Sequence, residues 1–575
     1  MSVLGVHDAH DAGAAIVDDG SVIGAVNEER FTKKKNDVGF PTNAIKYLLD
    51  EMDEETDKVA VPWIGGSALF ARMFPILEVK RRELWRKQRA KPSRLRMKLT
   101  NVVFKLIQDQ QPRSLWQMAG RGIGGSLLSS RLRKAGVKKD IVFVEHHLAH
   151  AASAYYASGF KEALVITLDG AGDGLSGTVS IGDNGKLDRI NEFKASASLG
   201  LLYGAATLAC DLRFSEDEGK LMSLAAYSYP SEIEELNDFV RYDEKKKQLV
   251  SKLGSKYEFL LAEHIKDSLL WKYNREVLAY AVQKHVQNQV LKIVKSYISE
   301  TKIRKVAVSG GLFSNIIINM MINELPEVKD FFVFPQMGDG GLALGAAYYV
   351  DYQENGRFNE KQIDNLYYGP EYSDIEIEKA LKKCAKEKKI EYHEESNIAK
   401  YVAEKLVHDN KIVLWFQGRM EYGPRALGNR SVLALASRPE NRNEINLIIK
   451  RRPYYQPFAS SILEEDARSL LHPYPRGTKF MTVGYRVKPN KFSELVAASH
   501  IDMTTRPQVL GRENKLYREL LMHVKKKTGY GALLNTSFNK HGIPIVMSPE
   551  DALWTLENTG ANYLAIGSFF VEKKG

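Results

Sequence analysis

The sequence predicts an α/β protein with at least two domains, the first of which is built from a duplicated unit. The chain has 575 residues, whereas a single domain usually has roughly 100 to 200. A pattern of strand, turn, strand, hairpin and strand is present at 3–27 and again from 164 onward. Strands that run into glycine turns and then into helices follow at 306–349, and this alternation is typical of α/β architecture.

The composition excludes several classes of protein. Hydrophobic residues make up 44% of the chain and charged residues 27%, which is ordinary for globular proteins and excludes wholesale disorder. The two cysteines, Cys210 and Cys384, exclude a cysteine-rich metal site and are typical of a reducing compartment. No apolar run approaches the roughly 18 residues of a membrane-spanning helix, and the N-terminal residues do not resemble a signal peptide. We therefore expect a cytoplasmic protein without a transmembrane segment.

Most of the positive charge lies in one segment. Lys and Arg outnumber Asp and Glu by 82 to 71. The segment 72–139 alone contains 19 basic residues against 3 acidic ones, so the rest of the chain carries a net charge of −5. Within it, 79–98 interleaves ten basic side chains with apolar ones. This pattern predicts a basic helical insert that is either a solvated lid or an amphipathic surface for an anionic partner: a membrane, a nucleic acid or a large acceptor molecule.

The two copies of the repeat consist of short strands joined by polar or glycine-rich turns. Strands are predicted at 3–6, 14–17 and 21–27 in the first copy, and at 164–168, 178–181 and from 187 onward in the second. Glycine turns can direct backbone N–H groups toward an anion, although short glycine motifs more often only form hairpins. Because the turn occurs twice, we expect a cleft between two such turns. The glycines expected to line it are Gly170, Gly310, Gly311 and Gly338.

Further elements complete the first domain and begin the second. The pattern predicts strands at 306–309 and 331–335 and helices at 315–322 and 342–349. A polar stretch at 351–374 contains Gly and Pro and is the predicted linker. We therefore expect a first domain at 1–360 and a second at 372–575. Helices predicted at 375–388 and 398–409 and a strand at 412–416 make the second domain α+β.

Two histidines form a candidate metal site. His146 and His150 are four residues apart, so on a helix both imidazoles lie on one face, as when two His bind the same metal ion. Asp339, in a glycine turn, is the candidate third ligand. Two nitrogens and a carboxylate suit Fe(II), Zn(II) or Mn(II). The alternative is a helix whose polar start carries surface histidines.

Several basic residues of the second domain form a candidate anion site. Arg425 lies in a Gly-Pro-Arg-Ala-Leu-Gly run, Lys450 and Arg452 precede Pro453, and Arg506 precedes Pro507. Guanidinium forks and Lys point charges are typical of phosphate sites. Surface salt bridges are the alternative, but these residues lie among Gly, Pro and aromatic residues that hold the backbone rigid, which favours an anion site. The run Asn535-Thr536-Ser537-Phe538-Asn539 adds neutral polar donors.

Taken together, the motifs resemble one enzyme family. They include His10-Asp11, Glu28-Glu29-Arg30-Phe31, His146-His147-Leu148-Ala149-His150, Leu168-Asp169-Gly170-Ala171-Gly172-Asp173, Glu218-Gly219-Lys220, Gly338-Asp339-Gly340, Gly423-Pro424-Arg425-Ala426-Leu427-Gly428 and Asn535-Thr536-Ser537-Phe538-Asn539. In this order they resemble the O-carbamoyltransferases typified by the nodulation-factor, cephamycin and tobramycin enzymes, and the resemblance runs through nearly the whole chain.

The resemblance implies a fold and a reaction. The N-terminal domain would have the duplicated actin/sugar-kinase/Hsp70-like (ribonuclease-H-like) fold, which agrees with the repeated hairpins, and the C-terminal domain would be YrdC-like. The C-terminal domain would form carbamoyladenylate from carbamoyl phosphate and ATP with Mg. The N-terminal domain would transfer the carbamoyl group to a hydroxyl of a small molecule.

The resemblance also assigns roles to residues. His146, His150 and Asp339 would hold a divalent metal, Fe(II) in the family's best example, which polarises the carbamoyl carbonyl. His10 and Asp169 would line the transfer cleft, and one of them would take the proton of the alcohol. Lys220 would lie on the nucleotide or acceptor side. The residues implied for ATP and carbamoyl phosphate are Arg425, Lys450, Arg452, Arg506, Asn535, Ser537 and Asn539.

The chain departs from the family pattern in places, and two other functions are compatible with it. Gln456 stands where the family often has Arg, which removes one fixed positive charge. One alternative function is carbamoyl or threonylcarbamoyl transfer to tRNA, with the basic segment binding phosphates. The other is a non-catalytic nucleotide-binding protein, against which the presence of His146, His150, Asp339 and Arg425 argues. The acceptor and the oligomeric state are left open.

Overall fold

The computed structural model of this chain describes residues 1–52, 56–64, 66–86, 97–99, 101–102, 120–254, 256–387, 389–473 and 478–574. These residues form two compact units. Unit 1 comprises Met1–Glu28 and Asp37–Ile363, and unit 2 comprises Glu29–Asn36 and Asp364–Gly575. The middle of the predicted basic helix, 87–96, lies outside the described residues, as do 100 and 103–119 of the basic segment.

Unit 1 contains two five-stranded sheets with the same topology. The strands are β1 Ser2–His7, β2 Gly13–Asp18, β3 Ser21–Asn27, β4 Lys58–Pro62, β5 Asp140–Val144, β6 Glu162–Gly172, β7 Leu175–Asp183, β8 Lys186–Lys194, β9 Arg241–Asp243, β10 Gln248–Val250, β11 Lys305–Ser309 and β12 Asp330–Val333. The sheet orders are β3-β2-β1-β4-β5 and β12-β11-β6-β7-β8, and β9 and β10 form a separate pair.

In each five-stranded sheet, three antiparallel strands come first in the sequence and two parallel strands extend the sheet. Strands β1, β2 and β3 are antiparallel neighbours, and β4 and β5 continue the sheet in parallel with β1. Strands β6, β7 and β8 repeat the first arrangement, and β11 and β12 repeat the second. This is the strand order of the actin/sugar-kinase (ribonuclease-H-like) fold. The predicted α/β class and the predicted duplication are therefore confirmed.

Helices cover the sheets of unit 1. Their bounds are Thr42–Met52, Gly66–Met73, Pro75–Arg86, Gly125–Lys134, His146–Ser158, Leu199–Ala209, Glu218–Ala225, Leu236–Phe239, Glu258–Leu269, Arg275–Thr301, Ile316–Asn323 and Leu342–Asn355. No helix among the described residues is both long and apolar enough to cross a membrane.

Close packing of small residues fixes the position of the helix that begins at His146. The helix Leu342–Asn355 lies against β1 and against the helix His146–Ser158. A Cβ added at Gly5 would lie 1.9 Å from the Ala343 carbonyl oxygen, and one added at Gly345 would lie 2.0 Å from the Ala149 carbonyl oxygen. A larger residue at Gly5 would force the helix Leu342–Asn355 away from β1. A larger residue at Gly345 would force the two helices apart, because their backbones are in close contact.

Two elements of unit 1 extend beyond their predicted bounds. Strand β6 continues to Gly172, through most of the turn predicted at 169–174, because its pairing with β7 resumes after an irregularity between Leu168 and Gly172. The helix Leu342–Asn355 runs into the predicted linker and ends at Gly356. Gly356 has φ +64°, the left-handed conformation that commonly ends a helix.

Unit 2 contains a ten-stranded mixed sheet. Its strands are β13 Ile390–Glu394, β14 Val413–Phe416, β15 Arg430–Leu435, β16 Ala459–Leu463, β17 Leu471–His472, β18 Tyr485–Val487, β19 Thr504–Leu510, β20 Ala532–Ser537, β21 Tyr563–Ile566 and β22 Phe569–Lys573. The order is β13-β22-β21-β14-β15-β20-β16-β19-β18-β17. The helices of this unit are Glu29–Thr32, Asp374–Lys386, Ile398–Val407, Pro439–Glu444, Glu464–Leu470, Phe492–Leu495, Lys515–Thr528 and Pro549–Glu557.

The core of unit 2 lies between its sheet and two helices. Helices Ile398–Val407 and Lys515–Thr528 pack on each other, and Trp415 on β14 is fully buried beneath them. The early segment Glu29–Asn36 is part of this unit: the Arg30 guanidinium donates to the Gly423 carbonyl oxygen at 2.8 Å, and Lys33 pairs with Asp551. The sequence therefore crosses into unit 2 once before unit 1 is complete.

Candidate active site

Four side chains of unit 1 form a buried cluster of metal-binding type. The His146, His150, Asp169 and Asp339 side chains each place one ligand atom within 4.8 Å of the others. His146 Nε2 lies 3.4 Å from Asp169 Oδ2 and 3.8 Å from Asp339 Oδ1. His150 Nε2 lies 3.5 Å from Asp339 Oδ1 and 4.0 Å from Asp169 Oδ2. Both imidazoles therefore point their Nε2 atoms at the same two carboxylates.

The local sequence explains how the helix His146–Ser158 begins in the cluster. Glu145 caps it by accepting hydrogen bonds from the His147 and Leu148 backbone N–H groups. Asp173 accepts a hydrogen bond from the His146 N–H at 3.0 Å. A Cβ added at Gly172 would lie 2.2 Å from His146 Cδ2. Only glycine at this position leaves room for the His146 ring.

Ser309 orients the His150 ring from the side opposite the carboxylates. His150 Nδ1 lies 3.3 Å from the Ser309 hydroxyl oxygen, at the end of β11. This contact turns Nε2 toward the carboxylates, and that nitrogen has no hydrogen-bond partner among the described residues although it is buried. A buried ring nitrogen without a partner is costly unless something else binds it.

Asp169 lies near the end of β6, and Asp339 lies in the glycine turn that follows β12. The Gly311 backbone N–H donates to Asp169 Oδ1 at 2.9 Å. Gly310 has φ +107°, and a Cβ there would lie 2.2 Å from the Leu168 carbonyl oxygen, so this turn requires glycine. The other predicted cleft glycines differ, because a Cβ at Gly170 would make only an ordinary contact and one at Gly338 would meet nothing within 4 Å.

His10 borders the cluster on its more exposed side. It follows β1, and its Nε2 lies 3.0 Å from Asp339 Oδ2. Its Nδ1 lies 3.4 Å from Asp11 Oδ2, and its carbonyl oxygen lies 3.0 Å from His7 Nε2. His10, which was predicted to line the transfer cleft, therefore contacts Asp339 directly.

Charges within the cluster shift its pKa values strongly. Burial alone lowers the pKa of His146, but the charge of Asp339 and the hydrogen bond that His146 donates to Asp169 outweigh it and raise that pKa to about 9. Burial raises the pKa of Asp339, but the charges of His10 and His146 reverse this and hold it well below its usual value. Burial and the charge of His146 lower the pKa of His147 to about 3. His146 and the carboxylates are therefore stabilised in their charged forms.

The cluster fits a divalent metal. Two imidazole nitrogens and two carboxylates are ligands of Fe(II), Zn(II) and Mn(II), and the unpartnered His150 Nε2 is directed at the point where they converge. Asp169, predicted to line the cleft and to be one candidate for the proton acceptor, lies as close to the two histidines as Asp339 does. It is a fourth candidate ligand that spacing in the sequence did not identify.

Lys220 lies in another network of unit 1. It stands on the helix Glu218–Ala225, and its Nζ pairs with Asp217 Oδ1 at 2.9 Å. Asp217 also accepts two hydrogen bonds from the Arg213 side chain. Asp217 is therefore shared between two cations, and the predicted role of Lys220 stays a prediction.

In unit 2, three arginines lie close together. Burial lowers the pKa of Arg425 to about 10 and that of Arg452 to about 9. Burial and the charges of Arg425 and Arg452 lower the pKa of Arg506 well below its usual value. The Nε atoms of Arg425 and Arg506 are buried and have no hydrogen-bond partner among the described residues. We call this electropositive group of side chains the pocket of unit 2, and no carboxylate among the described residues forms an ion pair with its three arginines.

Lys450 lies beside these arginines and is held by the predicted polar run. Its Nζ donates to Asn539 Oδ1 at 2.7 Å and to the Ser537 hydroxyl at 3.2 Å. Burial and the charges of Arg452 and Lys35 lower its pKa well below the usual value. Lys35 is a residue that sequence reasoning missed as a member of this pocket, because it lies more than 400 positions earlier in the chain.

The polar run is not a turn throughout. Asn535 and Ser537 lie on β20, where backbone pairing with β15 and β16 continues the sheet. Asn535 is fully buried, and its Nδ2 donates to the Ala426 carbonyl oxygen at 3.2 Å and to the Ser461 hydroxyl at 2.9 Å. Asn535 therefore holds the loop that carries Arg425 through its hydrogen bond to Ala426.

Glu421 organises the loop that carries Arg425. Its Oε1 accepts hydrogen bonds from the Leu427, Asn429 and Arg430 backbone N–H groups at 2.8 to 3.1 Å. Arg430, although close in sequence to Arg425, is structural: it is fully buried, donates to the Gln417 and Gly418 carbonyl oxygens and stacks on Phe416. The Nε atoms of both arginines are buried without a hydrogen-bond partner among the described residues, but the terminal guanidinium nitrogens of Arg430 donate to backbone carbonyl oxygens.

Gln456 lies next to the same pocket. Its carbonyl oxygen accepts a hydrogen bond from Asn446, which also accepts one from Arg452 Nε. Its side-chain Oε1 is buried without a hydrogen-bond partner among the described residues. The position is therefore connected to Arg452 even though it carries no charge.

Comparison with known proteins gives matches over both units. A family model described as the carbamoyltransferase N-terminus matches residues 2–348, and one described as the carbamoyltransferase C-terminus matches 403–573. The nodulation protein NolNO of Sinorhizobium fredii is 31% identical over 98% of this chain and 79% of its own length. The nodulation protein NolO of Bradyrhizobium diazoefficiens is 33% identical over 75% of this chain and 79% of its own length. The uncharacterized protein MJ1051 of Methanocaldococcus jannaschii is 31% identical over 99% of both chains.

Among solved structures, HypF of T. kodakarensis aligns with 12% identity over 63% of this chain and 49% of that one, with a TM-score of 0.35.

Proposed function

Because the chain belongs to the carbamoyltransferase family and is a carbamoyl-transferring enzyme, we propose that it is an ATP-dependent O-carbamoyltransferase that uses carbamoyladenylate. Water first converts carbamoyl phosphate to carbamate and inorganic phosphate. A carbamate oxygen then attacks the α-phosphorus of ATP and displaces pyrophosphate. Finally, a hydroxyl oxygen of a small-molecule acceptor attacks the carbamoyl carbon, loses its proton and displaces AMP.

The observation that carries the adenylate step is the electropositive pocket of unit 2. Arg425, Arg452, Arg506 and Lys450 have no carboxylate partner among the described residues, and the hydrogen-bond partners of Arg452 and Lys450 are neutral oxygens. Clustered cations repel one another, so a pocket that keeps them together is stabilised by a bound anion. Carbamoyl phosphate and ATP with Mg together carry several phosphate groups, which suit guanidinium forks and a Lys point charge.

In this proposal the residues of unit 2 act by positioning and charge neutralisation. Arg425 and Arg506, whose Nε atoms lack partners, would bind phosphate oxygens. Lys450, held by Ser537 and Asn539, would neutralise charge that develops as pyrophosphate leaves. The mixed sheet of this unit supports the proposed YrdC-like fold.

The carbamoyl transfer itself is assigned to the cluster of unit 1. His146, His150 and Asp339, with Asp169, would hold a divalent metal, Fe(II) or another, which would supply Lewis-acid polarisation of a carbamoyl carbonyl. His10 Nε2 contacts Asp339 and is more exposed than the other imidazoles of the cluster. His10 or Asp169 would accept the proton of the acceptor hydroxyl, and Lys220 would lie on the nucleotide or acceptor side.

The adenylate step is testable without knowing the acceptor. The measurement is pyrophosphate release from ATP and Mg by the full-length protein, with and without carbamoyl phosphate. We expect release only with carbamoyl phosphate, and a loss of at least about 100-fold in Arg425→Ala, since removing one charged transition-state contact costs 10²- to 10³-fold. The exposed Arg438→Ala is the matched control and should release pyrophosphate like the unchanged protein. Release that does not depend on carbamoyl phosphate would contradict the proposal.

A further inference from the structure

Two helices at the start of the basic segment carry an exposed apolar surface. The helices Gly66–Met73 and Pro75–Arg86 are separated by Phe74 alone. On their outer side lies what we call the insert surface, made of Met73, Phe74, Ile76, Leu77 and Val79. Ile76 is 69% exposed and Leu77 is 53% exposed.

The insert surface reverses the usual pattern of a water-facing helix. Glu78 is only 5% exposed, whereas the apolar residues on both sides of it are turned outward. Surface helices normally turn the apolar stripe inward and the charged residues outward. Of the nineteen large hydrophobic side chains that are exposed in the described part of the chain, nine lie between positions 73 and 127. Such a concentration marks an interaction site.

The inner side of the same helices is firmly attached to unit 1. Arg72 forms a two-pronged ion pair with Asp8, at 2.8 and 2.9 Å, and both side chains are buried. Arg131, on the helix Gly125–Lys134, donates to the Arg72 carbonyl oxygen at 2.9 Å. The outward position of Ile76 and Leu77 is therefore set by contacts on the opposite side of the helices, and their exposure is a property of the folded unit.

Charge indicates what the insert surface binds. The segment 72–139 contains 19 basic residues against 3 acidic ones, so its partner is anionic. Nucleic acids are bound by phosphate contacts and by stacking on aromatic rings, whereas three of the five residues of the insert surface are branched aliphatic. Aliphatic side chains surrounded by Lys and Arg are typical of helices that lie in the plane of an anionic membrane surface.

We propose that the insert surface docks this enzyme on anionic phospholipid bilayers. Ile76, Leu77 and Val79 insert at the boundary between headgroups and acyl chains, and the exposed Lys80 beside them contacts lipid phosphates. The attachment is peripheral, since no described helix is suited to cross a bilayer. This inference is independent of the proposed adenylate chemistry.

Vesicle sedimentation tests the proposal. The full-length protein is mixed with vesicles of phosphatidylcholine alone, or of phosphatidylcholine with about one third phosphatidylglycerol. We expect binding only to the anionic vesicles, with binding that weakens as salt is raised. The double variant Ile76→Ser/Leu77→Ser should bind at least about tenfold more weakly. Ile375→Ser, which changes an 82% exposed residue of unit 2, should bind like the unchanged protein.

A second pair of variants tests whether positively charged side chains beside the insert surface contribute to vesicle binding. Lys80→Glu should weaken binding to anionic vesicles, and Lys379→Glu, which changes an exposed lysine of unit 2, should not. Thermal unfolding and pyrophosphate release should be unchanged in all of these variants, which separates docking from folding and from catalysis. The proposal is overturned by equal binding to both kinds of vesicle, by no binding at low salt, or by normal binding of the double Ser variant. Tight binding to RNA that competes with vesicles and is unaffected by the double Ser variant would instead identify a nucleic-acid surface.

Discussion

At the scale of single residues, the contacts behind the imidazole rings decide which ring nitrogen faces the cluster. Ser309 lies 3.3 Å from His150 Nδ1, on the side opposite the carboxylates. Partners of this kind fix the tautomer and orientation of a ligand histidine, and their loss typically weakens metal binding 10- to 100-fold. Ser309 is therefore a positioning residue for the candidate metal site.

Replacing Ser309 by Ala should weaken divalent-metal binding about tenfold or more, because His150 is then free to rotate or to change tautomer. The measurement is metal affinity by competition with a chelator, so it does not depend on knowing the acceptor. Ser158→Ala is the control: Ser158 is buried in the same helix as His150, but its hydroxyl donates to the Tyr155 carbonyl oxygen. Equal metal affinity of Ser309→Ala and the unchanged protein would show that Ser309 does not orient the ring.

Spacing in the sequence was sufficient to predict some residues of the candidate metal site and not others. His146 and His150 are brought together by one helical turn, so their i,i+4 spacing predicts the pair. Ser309 and Asp169 join them only because β6 and β11 are neighbours in the second sheet. Lys35 and Lys450 come together through the crossing of Glu29–Asn36 into unit 2. Contacts between such distant positions have no local periodic signal.

At the scale of elements, the Asp8–Arg72 pair joins the end of β1 to the helix Gly66–Met73. Burial raises the pKa of Asp8, but the charge and hydrogen bonds of Arg72 outweigh this and lower it below its usual value. A carboxyl group with a lowered folded-state pKa contributes stability above its unfolded pKa, and this stability is lost as pH falls through the folded pKa. The pair therefore stabilises unit 1 at neutral pH and not in acid.

Replacing Arg72 by Met should lower the free energy of unfolding of unit 1 by about 3 to 5 kcal/mol at pH 7, because it leaves Asp8 buried without its cation. The difference from the unchanged protein should begin to shrink below about pH 4, where Asp8 of the unfolded chain takes up a proton, and it should disappear as pH falls through the lower folded-state pKa of Asp8. Urea unfolding at several pH values measures both effects. In the control Arg357→Met, which removes an exposed pair with Asp19, the loss should be about 0 to 1 kcal/mol. A constant difference across this pH range would contradict the account.

Secondary structure was predicted correctly where the sequence pattern is local and clear. It was predicted wrongly where pairing with neighbouring strands determines whether a residue lies on a strand. The strands of the first repeat follow from short apolar runs bounded by polar or glycine turns, and the helix His146–Ser158 follows from its histidine spacing and its small-residue face. The continuation of β6 through glycines to Gly172, and the strand conformation of Asn535, depend on their neighbours β7, β15 and β16. Glycine and asparagine favour turns locally, so the local signal pointed the wrong way.

At the scale of the whole molecule, two different kinds of site lie in two different units. Unit 1 carries a neutral-to-acidic ligand cluster, and unit 2 carries a pocket of unpaired guanidinium groups. The first suits a metal and a proton-accepting group, and the second suits phosphates. We therefore propose a division of labour, in which unit 2 activates the carbamoyl group and unit 1 transfers it.

The most direct test of this claim compares carbamoyl-phosphate-dependent pyrophosphate release in two variants of the full-length protein. His150→Ala removes a candidate metal ligand of unit 1, and Arg425→Ala removes a guanidinium of the unit 2 pocket. The account predicts that His150→Ala keeps pyrophosphate release within about twofold of the unchanged protein, while Arg425→Ala loses at least about 100-fold. Loss of release in His150→Ala with normal unfolding, or normal release in Arg425→Ala, would contradict the division of labour.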